Sequence, residues 1–141
     1  MSAGTGVAHS EYNLESKETR IFQIWIMPDE VGAPPSWGAK PFPKGARSGR
    51  FVALASGHGE DTDALPIRAD ARVLGASLKA GESTKYHFGP GRFAYLVPAV
   101  GRVQVNGVTL EARDGVAVKD EAAITVTALE DAELVLVDSA G

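Results

Sequence analysis

The chain has 141 residues, 44% of them hydrophobic and 23% charged, a balance that supports one folded domain with a real core and excludes wholesale disorder. It has no cysteine, so disulfides, thiolate catalysis and cysteine-ligated zinc or iron–sulfur sites are ruled out, and any metal must rest on histidine and carboxylates. The formal net charge is −4 with 14 scattered basic residues, which offers no nucleic-acid footprint, and no apolar run approaches the ~18 residues that span a bilayer.

In chain order, residues 3–12 come first, and they lack the basic-then-apolar pattern of an export signal, so the expected location is the cytoplasm. Residues 21–27, Ile-Phe-Gln-Ile-Trp-Ile-Met, are too short and too rich in β-branched and aromatic residues for a helix, and Pro28 stops them; a strand buried on both faces is expected. Residues 31–50 are rich in Pro and Gly and read as a connector, with Trp37 and Phe42 as anchors packing back onto the body. Lys40, Lys44, Arg47 and Arg50 make it locally basic, a solvated linker in preference to a binding patch.

From residue 51 onward the sequence is a succession of short strands, expected over 51–55, 73–78, 84–88 and 93–97. Residues 102–110 alternate polar and apolar around Asn106-Gly107, the strongest short hairpin signal because both positions favour positive φ. Strands over 116–118, 122–127 and 132–137 complete a set of eight or nine, with no helix, which indicates an all-β jelly roll or sandwich.

The chemistry-bearing residues are few. His9 and Glu11 flank Ser10, and in a strand residues two apart point to one face, so imidazole and carboxylate would converge while Ser10 faces away. The plainer alternative is an exposed terminal segment. Gly4-x-Gly6 precedes no helix and reads as a turn, not a phosphate loop. Asp120-Glu121 lies between two strands as a turn, and Asp61 with Asp63 lacks the further oxygen ligands of a cation loop. His58, in a Gly-rich turn, and His87, in a strand, read as surface or half-buried structural residues.

Residues 3–13 (Ala-Gly-Thr-Gly-Val-Ala-His-Ser-Glu-Tyr-Asn) followed by Phe22-Gln23-Ile24-Trp25-Ile26 resemble the middle of pirin-like bicupins, the family that includes bacterial quercetinases. Residues 90–96, 101–107, 114–118 and 120–124 continue the resemblance in the same order, so it runs over essentially the whole chain. It implies two stacked cupin β-barrels. Residues 1–28 would be the end of a first barrel, 29–50 the connector and 51–141 the C-terminal cupin. Most of the first barrel is absent from this sequence, and in the family that part carries a His-x-His pair. His9 and Glu11 would then be the metal ligands of a half-site. Such proteins usually hold iron or another divalent metal and open flavonols with dioxygen, Glu11 being ligand and candidate base.

Two readings follow. The first is a C-terminal cupin that is metal-free and not catalytic on its own, with no cofactor for this chain alone. The alternative is a quercetin 2,3-dioxygenase-type oxidoreductase whose site is completed by the missing N-terminal barrel or by another chain. The implied partners are a homo-oligomer or the N-terminal cupin half and a small aromatic, flavonol-like ligand, with neither nucleic acid nor membrane. Arg68-Ala69 stands where relatives often carry His-Gln, so a role depending on that histidine does not transfer.

Overall fold

Alternation through the last strand sets the phase of the whole core: Ala132, Leu134, Leu136 and Asp138 are buried, while Val135 and Val137 between them face outward and stay partly exposed. In the computed structural model, which describes residues 1–141, ten strands follow this logic. They are β1 (Val52–Ser56), β2 (Leu65–Pro66), β3 (Ala71–Leu78), β4 (Ser83–His87), β5 (Arg92–Val100), β6 (Val103–Val105), β7 (Val108–Leu110), β8 (Val116–Lys119), β9 (Ala123–Ala128) and β10 (Ala132–Ala140). A single 3₁₀ turn, Lys44–Arg47, precedes them.

The strands form two sheets, six-stranded in the order β2-β1-β3-β10-β5-β8 and four-stranded in the order β4-β9-β6-β7. Neighbours in sequence repeatedly lie in opposite sheets, which is the jelly-roll crossing. Leu136 pairs in register with Leu74 on one side and Leu96 on the other, and all three side chains point to the second sheet. There they meet Val103, Ile124 and Val126 in a core cluster of 15 buried residues. The Asn106-Gly107 hairpin is as expected, with φ of 46° and 89°, and it joins β6 to β7 with Val105 opposite Val108. The two-residue β2, which runs parallel to β1, carries no sequence signal.

Before residue 51 the expectations need correction. Residues 21–27 form no strand, and Trp25 and Met27 are each 88% exposed. An apolar run becomes a strand only where a sheet edge offers it backbone partners. Here Phe22 and Ile24 instead border, with Tyr95, Val97, Val135 and Val137, a cavity on the outer face of β5 and β10. The residues around His9 likewise form no strand; only Ser2 makes an isolated bridge, to Ser36.

The connector is not simply solvated. Lys44 and Arg47 both pair with Glu133 on β10, at 2.6 and 3.0 Å, and Lys40 donates to the Asp63 carbonyl. Of its two expected anchors, Phe42 is half-buried, while Trp37 is 80% exposed and anchors nothing. Phe42 succeeds because Arg47 donates to its carbonyl at 2.8 Å and holds the turn against the sheet.

Candidate metal centre

His9 and Glu11 are brought together, though not by strand geometry. The segment carrying them is tied at one end by Ser2 and Thr5, whose amides donate to the carbonyls of Ser36 and Ala33. At the other end Asn13 closes a loop: its Oδ1 accepts from the Glu15 amide and the Thr19 hydroxyl, and its Nδ2 donates to the Lys17 carbonyl. Between these ties His9 Nδ1 lies 3.9 Å from Glu11 Oε1, with both side chains partly open to solvent.

That separation is less than twice the roughly 2.1 Å at which imidazole nitrogen and carboxylate oxygen hold a divalent ion, so one ion can touch both. The donor types suit iron and similar metals. A complete site needs more, and this chain assembles no group of three or more His, Asp or Glu side chains able to hold an ion. The two residues therefore fit a metal as half of a site, and no chemical step can be derived from them alone.

The other sequence candidates lie elsewhere. His87 ends β4 and is exposed. Asp63 offers its backbone to Lys40, and Asp120 takes a φ of 59° in the turn before β9. Arg68 donates to the Pro34 carbonyl and accepts from the Asp29 amide through its own, so it staples the connector to the barrel.

A second cluster escaped sequence reasoning. At one end of the barrel Asp138, 3% exposed, accepts from the Tyr86 hydroxyl at 2.6 Å and from Arg92 Nε at 2.8 Å. Arg92 also reaches Asp70 at 2.5 Å, and Arg72 joins Asp61 and Glu60, each at 2.6 Å. Asp61 additionally accepts from Ser56. His58 stands between Asp70 and Glu60, its Nε2 3.1 Å from Asp70 without an aligned hydrogen bond.

Burial favours the protonated form of Asp61, but hydrogen bonds from Ser56 and Arg72 outweigh it and hold its carboxyl below the ordinary 3.8. The Arg92 hydrogen bond does the same for Asp70. Burial, then the bond to Asp138, pushes the Tyr86 phenol well above its usual range. The cluster ties β3, β4, β5 and β10 to the loop of residues 57–70 and seals the barrel. Its signal was legible in principle, since Arg72, Arg92 and Asp138 fall in the interior phase of their strands, two residues from Leu74, Ala94 and Leu136.

Two packed sheets closed over an apolar interior in jelly-roll order define a cupin barrel, and the segment before it presents one imidazole and one carboxylate. The chain belongs to the quercetinase C-terminal cupin domain family, whose sequence pattern matches residues 53–139. It is 70% identical over 140 residues to a pirin-like protein of Caulobacter vibrioides, covering 99% of this chain and 60% of that protein. It is 63% identical to a putative quercetin 2,3-dioxygenase of Pseudomonas aeruginosa at the same coverage. Against the quercetin 2,3-dioxygenase of Escherichia coli K12 it is 34% identical, covering 98% of this chain and 58% of that one. The crystal structure of the bacterial pirin YhhW from E. coli, solved also in complex with nickel(II), superposes with TM-scores of 0.75 and 0.74 at 28% identity, over 82% of this chain and 47–48% of that one. The chain thus spans about 60% of the length of these curated relatives.

Proposed function

We propose that this chain is a quercetinase-type C-terminal cupin that is metal-free and not catalytic on its own, and that His9 and Glu11 are two ligands of a metal centre completed from outside the chain. One observation carries this: the two donors stand 3.9 Å apart on a solvent-facing segment with no third ligand gathered beside them. Elemental analysis of the purified chain after loading with ferrous iron and desalting tests it. Substoichiometric metal is expected, and a tightly held equivalent of iron overturns it.

The names of its relatives favour a second reading for the completed protein, a dioxygenase acting on quercetin or another flavonol-like aromatic. In that protein the metal supplies the activation of substrate and oxygen. His9 and Glu11 would orient it, and the Glu11 carboxylate would sit where it can accept a phenolic proton. Supplying a first barrel that bears a His-x-His pair should give quercetin consumption together with stoichiometric metal, and His9→Ala should remove both. Metal uptake unchanged by His9→Ala excludes the ligand assignment whatever the activity. The working location is the cytoplasm, which cell fractionation checks; no helix is long and apolar enough to cross a membrane.

A further inference from the structure

The tip of the hairpin joining β6 to β7 carries two residues that can react with each other. Asn106 and Gly107 are both exposed, and in an Asn-Gly pair the glycine nitrogen can attack the side-chain amide before it, because glycine carries no side chain to shield the nitrogen or restrict its backbone. Here the Gly107 nitrogen has no hydrogen-bond partner, and nothing lies within 4 Å of where its Cβ would stand. The chain's other asparagine, Asn13, is followed by the bulky Leu14. Against this reactivity, the fold holds the Asn106 side chain in place. Its Oδ1 accepts from the Thr125 amide at 2.9 Å and its Nδ2 donates to the Ala123 carbonyl at 3.4 Å, while its own backbone amide donates to the Thr125 carbonyl at 3.1 Å. Cyclisation needs the side-chain carbon to leave these partners on β9 and swing onto the Gly107 nitrogen.

We propose that Asn106 is a modification site, deamidated through a cyclic imide at a rate set by the opening of its clamp on β9, and that the isoaspartyl product unseats the hairpin. In the first step the Gly107 nitrogen bonds to Asn106 Cγ and gives up its proton, and the side-chain nitrogen leaves as ammonia. Water then adds to either imide carbonyl and breaks that carbon's bond to nitrogen, leaving aspartate or isoaspartate. The balance is one amide and one water in, one carboxylic acid and one ammonia out, with no oxidant or cofactor. Aspartate keeps the acceptor for the Thr125 amide and loses the donor to Ala123. Isoaspartate does more, because it routes the backbone through the former side chain. That lengthens a two-residue turn whose φ values, 46° and 89°, set Val105 opposite Val108. Val103 and Val105 are 0% and 2% exposed, so a slip of register carries core side chains towards water.

The test is peptide mapping by mass spectrometry after incubating the 141-residue chain in mildly alkaline buffer, folded and in urea. In urea Asn106 should lose its amide at least about 10-fold faster than in the folded chain, the protection given by local structure that opens only part of the time, and faster than Asn13. Below the unfolding transition its rate should rise with urea in step with hydrogen exchange of the Thr125 amide, whose acceptor is the Asn106 side chain. The change of mass separates this product from isomerisation at Asp114-Gly115, where there is no amide to lose. Asn106→Gly, which suits a positive φ, should abolish the product and keep the fold. The isoaspartyl chain, separated by ion exchange, should melt below the unmodified one. Equal rates folded and in urea overturn the proposal, as does a rate in urea no faster than that of Asn13. An isoaspartyl chain as stable as the unmodified one overturns the unseating of the hairpin.

Discussion

Asp138 is the residue on which the barrel end depends. It is a buried carboxyl in the interior phase of β10, and its two oxygens are taken by the half-buried Tyr86 and by the largely buried Arg92. Removing Asp138 leaves Arg92 with Asp70 alone and leaves the Tyr86 hydroxyl without its acceptor, the cost of unmade buried hydrogen bonds. Asp138→Ala should lower unfolding stability by about 1–3 kcal/mol in urea titration. Its effect should shrink in the background of Arg92→Met, where one of the two donors is already gone. The pH dependence follows from Asp61 and Asp70. Both carboxyls sit below their ordinary 3.8 in the folded chain, so the stability they add is fully present above that value and is lost as pH falls through their folded pKa values. Acid unfolding should therefore set in below about pH 4, the usual carboxylate range, and Arg72→Gln should move the midpoint upward in a circular-dichroism titration.

At the scale of elements, the loop of residues 57–70 is shaped by contact with its own end. A Cβ placed on Gly57 would stand 1.8 Å from the Ala69 carbonyl oxygen, backbone that cannot swing aside, while the Gly57 amide donates to Ala71 at 3.0 Å. Gly57→Ala should cost about 1–3 kcal/mol, the range for overpacking, and should raise amide exchange at Ile67, whose amide is bonded to the Ser56 carbonyl, before exchange rises in β10. The strands themselves were readable. From β3 to β10 every strand coincides with an alternating or apolar run bounded by Gly, Pro, Asn or Asp, because their partners lie within the same chain and burial selects the phase. Residues 21–27 carried an equally strong signal and form no strand, since β propensity states that a run suits a sheet without supplying an edge to join. The two-residue β2 was invisible for the opposite reason: it exists only because the loop returns past Ala55.

For the molecule as a whole, the core draws on nothing before residue 51: all 15 members of the buried cluster come from β3 onward, and Phe51 is the earliest side chain packed against them. Deleting residues 1–28 should therefore leave a single cooperative thermal transition, whereas Leu136→Ala, at the centre of the cluster, should cost about 2–5 kcal/mol. A deletion that abolishes cooperative unfolding would show the terminal segment to be part of the fold rather than laid upon it. The proposed metal ligands, His9 and Glu11, sit on that terminal segment and outside the core cluster.

The sequence by itself determined the fold class, the hairpin at Asn106-Gly107, the lack of cysteine chemistry and the family resemblance, because alternation, turn residues and composition act locally and survive in one dimension. It also singled out His9 and Glu11 by residue type and spacing. Only the tertiary structure decided that those two meet across 3.9 Å without a strand to align them. It alone joined Asp138 to residues 46 and 52 positions away and turned a basic connector into partners for Glu133. The Asp138 and Glu133 contacts join distant positions, set by how two sheets close over one core, and no local pattern in the chain encodes them.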